Sequence, residues 1–395
     1  MHPAGASGSR RATQVYTGAN TGRKCVRPTV GGCVVTRVLT GLVVCACTVV
    51  VAAPSDDLAT QAAAARDANN IPRALQLYRQ GVEQQPAWLD GWWFLGLLSY
   101  ETAEFGEGRR AFTEFTRLQP KSPMAWAFLG LCEYEIGEYT SALEHLERSL
   151  GPGGGLHPDL EPVARFHHAL LLTRAGSFDR ARLMFQPFVR RAIQDPVLIA
   201  GLGLNALRRP LTPKEVPAAE EKLILAAGDA LYAWLAGDMS KAETSFRSLL
   251  ETYSGVPGVH YLYATYLLVT RPDDVKAELG REFTVSPRSA DARALLALLL
   301  VQEGDTSSAL PVAKAAAEDA PTSATAQYAY GVALKLAGEV SLAIPRLEAA
   351  LRIDPAKAEY HMTLAGAYSK AGRYEDALRE RRTSIELARE ASGPG

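Results

Sequence analysis

Apolar and small residues recur along this chain in a fixed register. Between Leu89 and Pro120 the register reads Trp92, Leu95, Gly96, Gly108, Phe112, Phe115 and Pro120, at positions 4, 7, 8, 20, 24, 27 and 32 of a unit counted from Leu89. Pro123, 34 residues after Leu89, opens a second copy with Trp126, Leu129, Gly130, Ala142 and Leu146 in the matching places. Spacings of three and four residues predict helices with one apolar face. Small residues at positions 8 and 20 let two helices approach, and a bulky residue at 24 fills the gap between them. Proline at 32 ends the second helix, because a proline in a helix interior loses a hydrogen bond. Each unit is therefore an antiparallel helix pair.

The register runs from about Ser55 to the C-terminus. The first unit carries Ala62, Ala74, Tyr78 and Pro86. A Gly-rich insertion, 151–158, precedes the unit that begins near Pro162 and holds Ala169, Gly176, Ala181, Phe185 and Phe188. Another first helix starts at Pro196, but Pro210, Pro213 and Pro217 stand where its second helix should begin. Units then follow near Leu223, Pro257, Ala290, Ala324 and Ala358. The Pro257 unit is one residue short, with the deletion expected at the Thr270–Asp274 turn. The last unit has charged Arg381 at position 24, which suits a terminal repeat whose outer face meets water.

The W-x-x-L-G … A-x-x-x-F … P spacing at period 34 resembles the tetratricopeptide repeat (TPR) family. The resemblance covers nearly everything after residue 55 and implies an all-α fold: an α-solenoid of stacked helix-turn-helix repeats forming a superhelix. The expected organisation is an N-terminal extension, 1–34, that is disordered; a signal peptide or membrane anchor, 35–53; an N-terminal array, 55–209; a Pro-rich break, 210–217; a C-terminal array, 218–388; and a flexible tail, 389–395.

Charge and cysteine usage narrow the setting. The chain carries 42 basic and 43 acidic residues, a net of −1. Residues 1–53 hold six of the basic residues and no acid, leaving 36 basic against 43 acidic beyond them, a net of −7. A body of that sign does not point to nucleic acid, whose binding leans on Lys and Arg neutralising phosphate. Thr36-Arg37 and the apolar run Val38–Ala53 form a basic n-region and a 16-residue h-region, with Ala52-Ala53 as a small-residue cleavage site. That pattern implies export to the periplasm or medium. An uncleaved anchor tethering the chain through 38–53 is the alternative, as is a lipoprotein acylated at Cys47. A start of translation near Val35 would make residues 1–34 an artefact of start-site choice. Cys132 is the only cysteine in the repeats and is expected to pack as a small apolar residue.

In TPR proteins the first helix of each unit lines the concave groove through positions 2, 5, 9 and 12. Those offsets select Trp93, Tyr100, Tyr134, Phe166, Trp234, Tyr261 and Tyr328 as groove residues, with few charges among them. Aromatic side chains dominate binding hot spots, so the resemblance implies a protein partner that offers an apolar or amphipathic peptide segment. The alternative is that these aromatics pack between units. The carboxylate-clamp subtype, with Lys at position 5 and Asn at 9, is excluded: position 5 holds Trp93, Ala127, Phe166, Tyr261 and Tyr328. Self-association through the groove or an uncapped end is a further reading.

Enzymatic signals are weak, and no cofactor, metal or catalytic residue is expected. Gly201-x-Gly203-x-x-Ala206 after Val197–Ala200 imitates a dinucleotide-binding turn, but Gly203 falls on position 8 of a repeat. His157, His167 and His168 near the insertion are the one conceivable metal cluster, without a Cys or carboxylate to complete a recognised spacing.

Overall fold

The computed structural model describes residues 56–151 and 155–392. The expectations for 1–34, 35–53 and the tip of the Gly-rich insertion lie outside the described residues or partly so. The rest is all-α: nineteen α-helices and no strand among the described residues, wound as a solenoid. In chain order these are α1 (Asp56–Asp67), α2 (Ile71–Gln84), α3 (Leu89–Glu101), α4 (Phe105–Leu118), α5 (Pro123–Ile136), α6 (Tyr139–Ser149), α7 (Leu160–Arg174), α8 (Phe178–Arg190), α9 (Pro196–Ala206) and α10 (Glu221–Leu235). The second half continues with α11 (Met239–Tyr253), α12 (Val259–Thr270), α13 (Val275–Val285), α14 (Ala290–Gln302), α15 (Thr306–Asp319), α16 (Ala324–Leu336), α17 (Val340–Ile353), α18 (Ala358–Lys370) and α19 (Tyr374–Ser392). None of the described helices is long and apolar enough to cross a membrane.

Local chemistry sets the helix ends. Ser122, Ser289 and Ser323 each accept a hydrogen bond from the backbone three residues on, and Asp195 does so from Val197 and Leu198. These caps satisfy N–H groups that the first turn leaves without partners. Position 15 of the unit, in the turn between paired helices, takes a left-handed backbone: Gly137 at φ 85° and, against residue preference, Ala103 at φ 61°. In the short unit this place is taken by a 3₁₀ turn, Pro272–Asp274, and the buried Leu279 fills the role of position 24.

The core is a column of position-8 and position-24 contacts. Phe112, Phe185 and Phe246 are fully buried. A Cβ on Gly96 would lie 2.7 Å from the Phe112 ring, and one on Gly331 2.7 Å from Leu347. The small residue at 8 is therefore what admits the bulky one at 24. In the α14–α16 layer both positions are alanine, and Ala297 and Ala313 join a cluster of buried alanines. Cys132 is buried, its thiol pushed up by burial, and sits against Gly108. Arg381 is exposed on the terminal helix.

One layer departs from the repeat. After α9 no second helix forms; the chain runs through Leu207–Glu220 with one 3₁₀ turn, Pro213–Glu215, and α10 packs directly on α9. Gly203 and Gly228 make this crossing, with the Gly203 Cα facing the Ile224 carbonyl and Gly228 facing that of Ile199. Val197–Ala200 is helical, so the apparent dinucleotide motif is a helix–helix contact.

Candidate functional site

The seven projected groove aromatics do not stand free. Trp93 is 6% exposed and packs on Phe112, Phe115 and Phe128 at centroid distances of 5.8, 5.2 and 6.0 Å. Tyr100 lies edge-on to Phe105 and Phe128, with its phenol pushed up by burial. Tyr134 packs on His167 and Tyr139, and Phe166 on Phe185 and Phe188. Trp234 meets Tyr266 and Phe246. Tyr328 stacks on Tyr360 at 4.2 Å and donates to Glu359 at 2.9 Å. Tyr261 lies beneath Arg208, which donates to its hydroxyl at 3.1 Å. The physical reason is close packing: Phe112, Phe115, Phe185, Phe188 and Phe246 reach these side chains from the second helix of the same unit, and Phe128, Tyr266 and Tyr360 from the next unit. Each of the seven projected aromatics thus has packing partners within its own helix pair or in an adjoining one.

A cleft of about 320 Å³ opens where residues of the two halves of the solenoid meet. Its walls are the Arg174–Asp179 turn after α7, Arg208 and Pro210, Asp291 at the start of α14, the Ala320–Thr325 turn, and Ile353-Asp354. Asp179 accepts from Arg208 at 3.3 Å and pairs with Lys357 at 3.5 Å, a residue 178 positions later. Burial opposes ionisation of Asp179, but Arg208, Lys357 and Arg182 outweigh it and hold its carboxyl well below the usual range. Burial also lowers Arg182, which shares this space with Arg208. Arg208 itself has a left-handed backbone, φ 54°, and its buried Nε has no hydrogen-bond acceptor. Burial pushes the Asp354 carboxyl up, although its oxygen accepts from Ala356 N at 3.3 Å. The cleft thus presents carboxylates and guanidinium groups side by side, among apolar groups such as Phe178, Pro210 and Ile353.

Sequence reasoning missed these groups. Asp179 opens α8, Arg208 follows α9, and Asp354 and Lys357 flank the α17–α18 connection; they carry no spacing signal and come together only in the folded superhelix.

Beside the cleft, the chain covers its own concave face. Thr212 is fully buried and donates to the Tyr139 hydroxyl at 3.3 Å. The Lys214 ammonium lies 2.7 Å from Glu135 and 4.6 Å from the Tyr134 ring centroid. Glu215 accepts from Arg174 at 2.9 Å and from the Thr212 backbone N–H at 2.7 Å.

The three histidines do not converge. His167 bonds the Val163 carbonyl oxygen at 2.8 Å, His168 faces Glu147 at 3.5 Å, and His157 faces Asp159 at 3.8 Å. Among the described residues no group of three His, Cys, Asp or Glu side chains is placed to hold a metal ion.

Comparison with known proteins agrees with the fold. Family models for the tetratricopeptide repeat match residues 95–157 and, in overlapping copies, 300–362 and 334–380. No curated protein matches the chain. Among solved structures, MamA from Desulfovibrio magneticus RS-1 is 19% identical over 44% of this chain and 98% of its own, with a TM-score of 0.35. MamA of AMB-1 is 24% identical over 40% of this chain and 95% of its own, at 0.33. The Cut9–Hcn1 hetero-tetramer of the APC/C is 15% identical over 85% of this chain and 66% of the other, at 0.38. Scores so low bear on no partner or activity. Two separate stretches that match the repeat models, joined by helix pairs built on the same packing positions, make this chain a member of the tetratricopeptide-repeat family.

Proposed function

We propose that this scaffold for protein–protein contact receives a polar, extended segment of its partner in the axial cleft and performs no chemistry of its own. The observation that supports the reading is the cleft lining: charged Arg208, Asp291 and Asp354 border about 320 Å³ of concave space, while the aromatics that would favour an apolar segment are packed away. A segment there gains charge-assisted hydrogen bonds in a partly desolvated setting, where they are about twice as strong as neutral ones. Selection from a displayed random-peptide library tests this, with counter-selection on Asp354→Asn/Asp291→Asn. Sequences that bind the native chain and not the variant are expected. Failure to enrich any such sequence would sink the proposal.

Export remains part of the proposal and rests on Val38–Ala53 alone, outside the described residues. Fusing residues 1–60 to alkaline phosphatase checks it: enzyme activity in cells is the expected outcome, and an inactive cytoplasmic fusion overturns it. Self-association is favoured separately by the terminal helix α19, which leaves Tyr374, Leu378 and Ile385 exposed at 68, 56 and 47%. Those residues fall on one stripe of the helix, the kind of uncapped end that a second copy could cover.

A further inference from the structure

The chain between α9 and α10 behaves as a ligand would. Leu207–Glu220 forms no α-helix: turns at Leu207-Arg208 and Ala218–Glu220 flank an irregular stretch that holds three prolines and one 3₁₀ turn. Proline-bearing extended segments lose little entropy on docking, which is why many recognition sites take them. Its contacts are made side chain by side chain with groups remote in sequence. Glu135 lies 79 residues from Lys214, Tyr139 lies 73 from Thr212, and Arg174 lies 41 from Glu215. Apolar Leu211 and Val216 pack on the core between these polar contacts. Tyr134, under the Lys214 ammonium, is one of the positions that the repeat register assigns to the groove.

We infer that the surface formed by the ends of α5 and α7 and the start of α6 is an extended-peptide site, kept occupied by the chain's own 208–217 segment. A competing segment of the same chemistry enters only when that segment leaves. The chemistry required is a proline-bearing strand with a hydroxyl, then a cation next to a carboxylate, to match Tyr139, Glu135 with Tyr134, and Arg174. The anchors are partly exposed: 20% for Glu135, 37% for Lys214, 40% for Arg174 and 27% for Glu215. Ion pairs of that exposure contribute little net stability, so the hold on the segment rests chiefly on buried Thr212 and on core-packed Leu211 and Val216. Its covalent attachment adds to that hold. Tethering presents the segment at an effective concentration on the order of millimolar, which excludes weaker outside competitors. This site adjoins the cleft and shares Arg174, Arg208 and Pro210 with it, and the peptide used below tests it without reference to what the cleft binds.

The test uses a fluorescein-labelled synthetic peptide with the sequence of residues 207–218 and the full chain in two forms. One is the native protein. The other is Thr212→Ala/Lys214→Ala/Glu215→Ala, which weakens the internal occupant and leaves Glu135, Tyr139 and Arg174 of the receiving surface in place. Anisotropy titration should show the peptide binding the variant at least tenfold more tightly than the native chain. Adding Glu135→Ala and Tyr139→Phe to the variant should abolish that gain. Equal affinity for both forms, or no binding to a variant of native helicity, overturns the inference. Should the variant fail to fold, hydrogen exchange on the native chain decides. Excess peptide should speed exchange at 211–216, and unchanged exchange at saturating peptide overturns the inference as well.

Discussion

Alanine at Gly203 would put a methyl group where backbone already lies. At the α9–α10 crossing, a Cβ on Gly203 would sit 1.8 Å from the Ile224 carbonyl oxygen, and one on Gly228 2.0 Å from that of Ile199. An ordinary non-bonded contact is roughly 3.5 Å, so the two helices must part by roughly 1.5 Å to admit the methyl. Backbone cannot rotate aside as a side chain can, so the whole interface opens. Overpacking of this kind costs about 3 kcal/mol at the upper end of its usual range. Alanine's better helix propensity returns about 1 kcal/mol, leaving a net loss of about 2 kcal/mol. Gly280→Ala is the matched control, because Gly280 is exposed in α13 and a Cβ there has no neighbour within 4 Å. It should gain up to about 1 kcal/mol from propensity alone. Urea unfolding followed by circular dichroism reads both, with hydrogen exchange reporting whether α9 and α10 open first, since stacked repeats need not unfold as one unit. A Gly203→Ala chain at or above the native midpoint would refute the close-crossing argument.

Four shorter predictions follow from the same geometry. Ala103→Gly relieves a left-handed backbone at a non-glycine residue and should stabilise by about 1 kcal/mol; a lower urea midpoint would contradict it. Phe112→Ala empties the position-24 contact with Gly96 and should cost about 3–5 kcal/mol, again read by urea unfolding. Asp179→Asn leaves Arg208 with the Tyr261 hydroxyl and removes the Lys357 pair; a loss of about 2 kcal/mol and a larger radius of gyration in X-ray scattering are expected. The folded-state pKa of Asp179 lies below the unfolded value of about 3.9, so its contribution is complete above that pH and is lost as pH falls below it. Acid should therefore narrow the stability gap between native and Asp179→Asn chains, and a constant gap down to pH of about 3 would count against the assignment. Leu378→Arg on the exposed α19 stripe should abolish any concentration-dependent sedimentation of the native chain; persistence of the heavier species would move the contact elsewhere.

The fold was legible because repetition turns one packing rule into many readings of it. Position 8 small and position 24 bulky is a local pairing within one helix hairpin. Ala62 with Tyr78, Gly96 with Phe112 and Gly331 with Leu347 each state it within 16 residues of sequence. Arg381, charged at the same position, read correctly as a surface residue of the last unit. The groove was not legible on the same terms. Trp93 and Tyr134 fall on the register's concave positions, yet Trp93 packs on Phe112 and Phe115 of its own hairpin and on Phe128 of the next, and Tyr134 meets Tyr139 and His167. Whether a side chain at those positions stands free depends on the size of its neighbours in both hairpins, which its own position in the register does not state.

The sequence by itself therefore determined the all-α repeat architecture, its period, its irregular layer at Pro210–Pro217, and the burial of Cys132. These follow from side-chain size and helix periodicity over short separations. Tertiary structure alone decided where chemistry gathers: Asp179 beside Arg208 and Lys357, Lys214 on Glu135 and Tyr134, and the projected aromatics turned into core. The charged contacts among those outcomes join residues 29 to 178 positions apart through the curl of a superhelix. Small rotations summed over many units place them, and a linear pattern of hydrophobic and polar residues does not carry that sum.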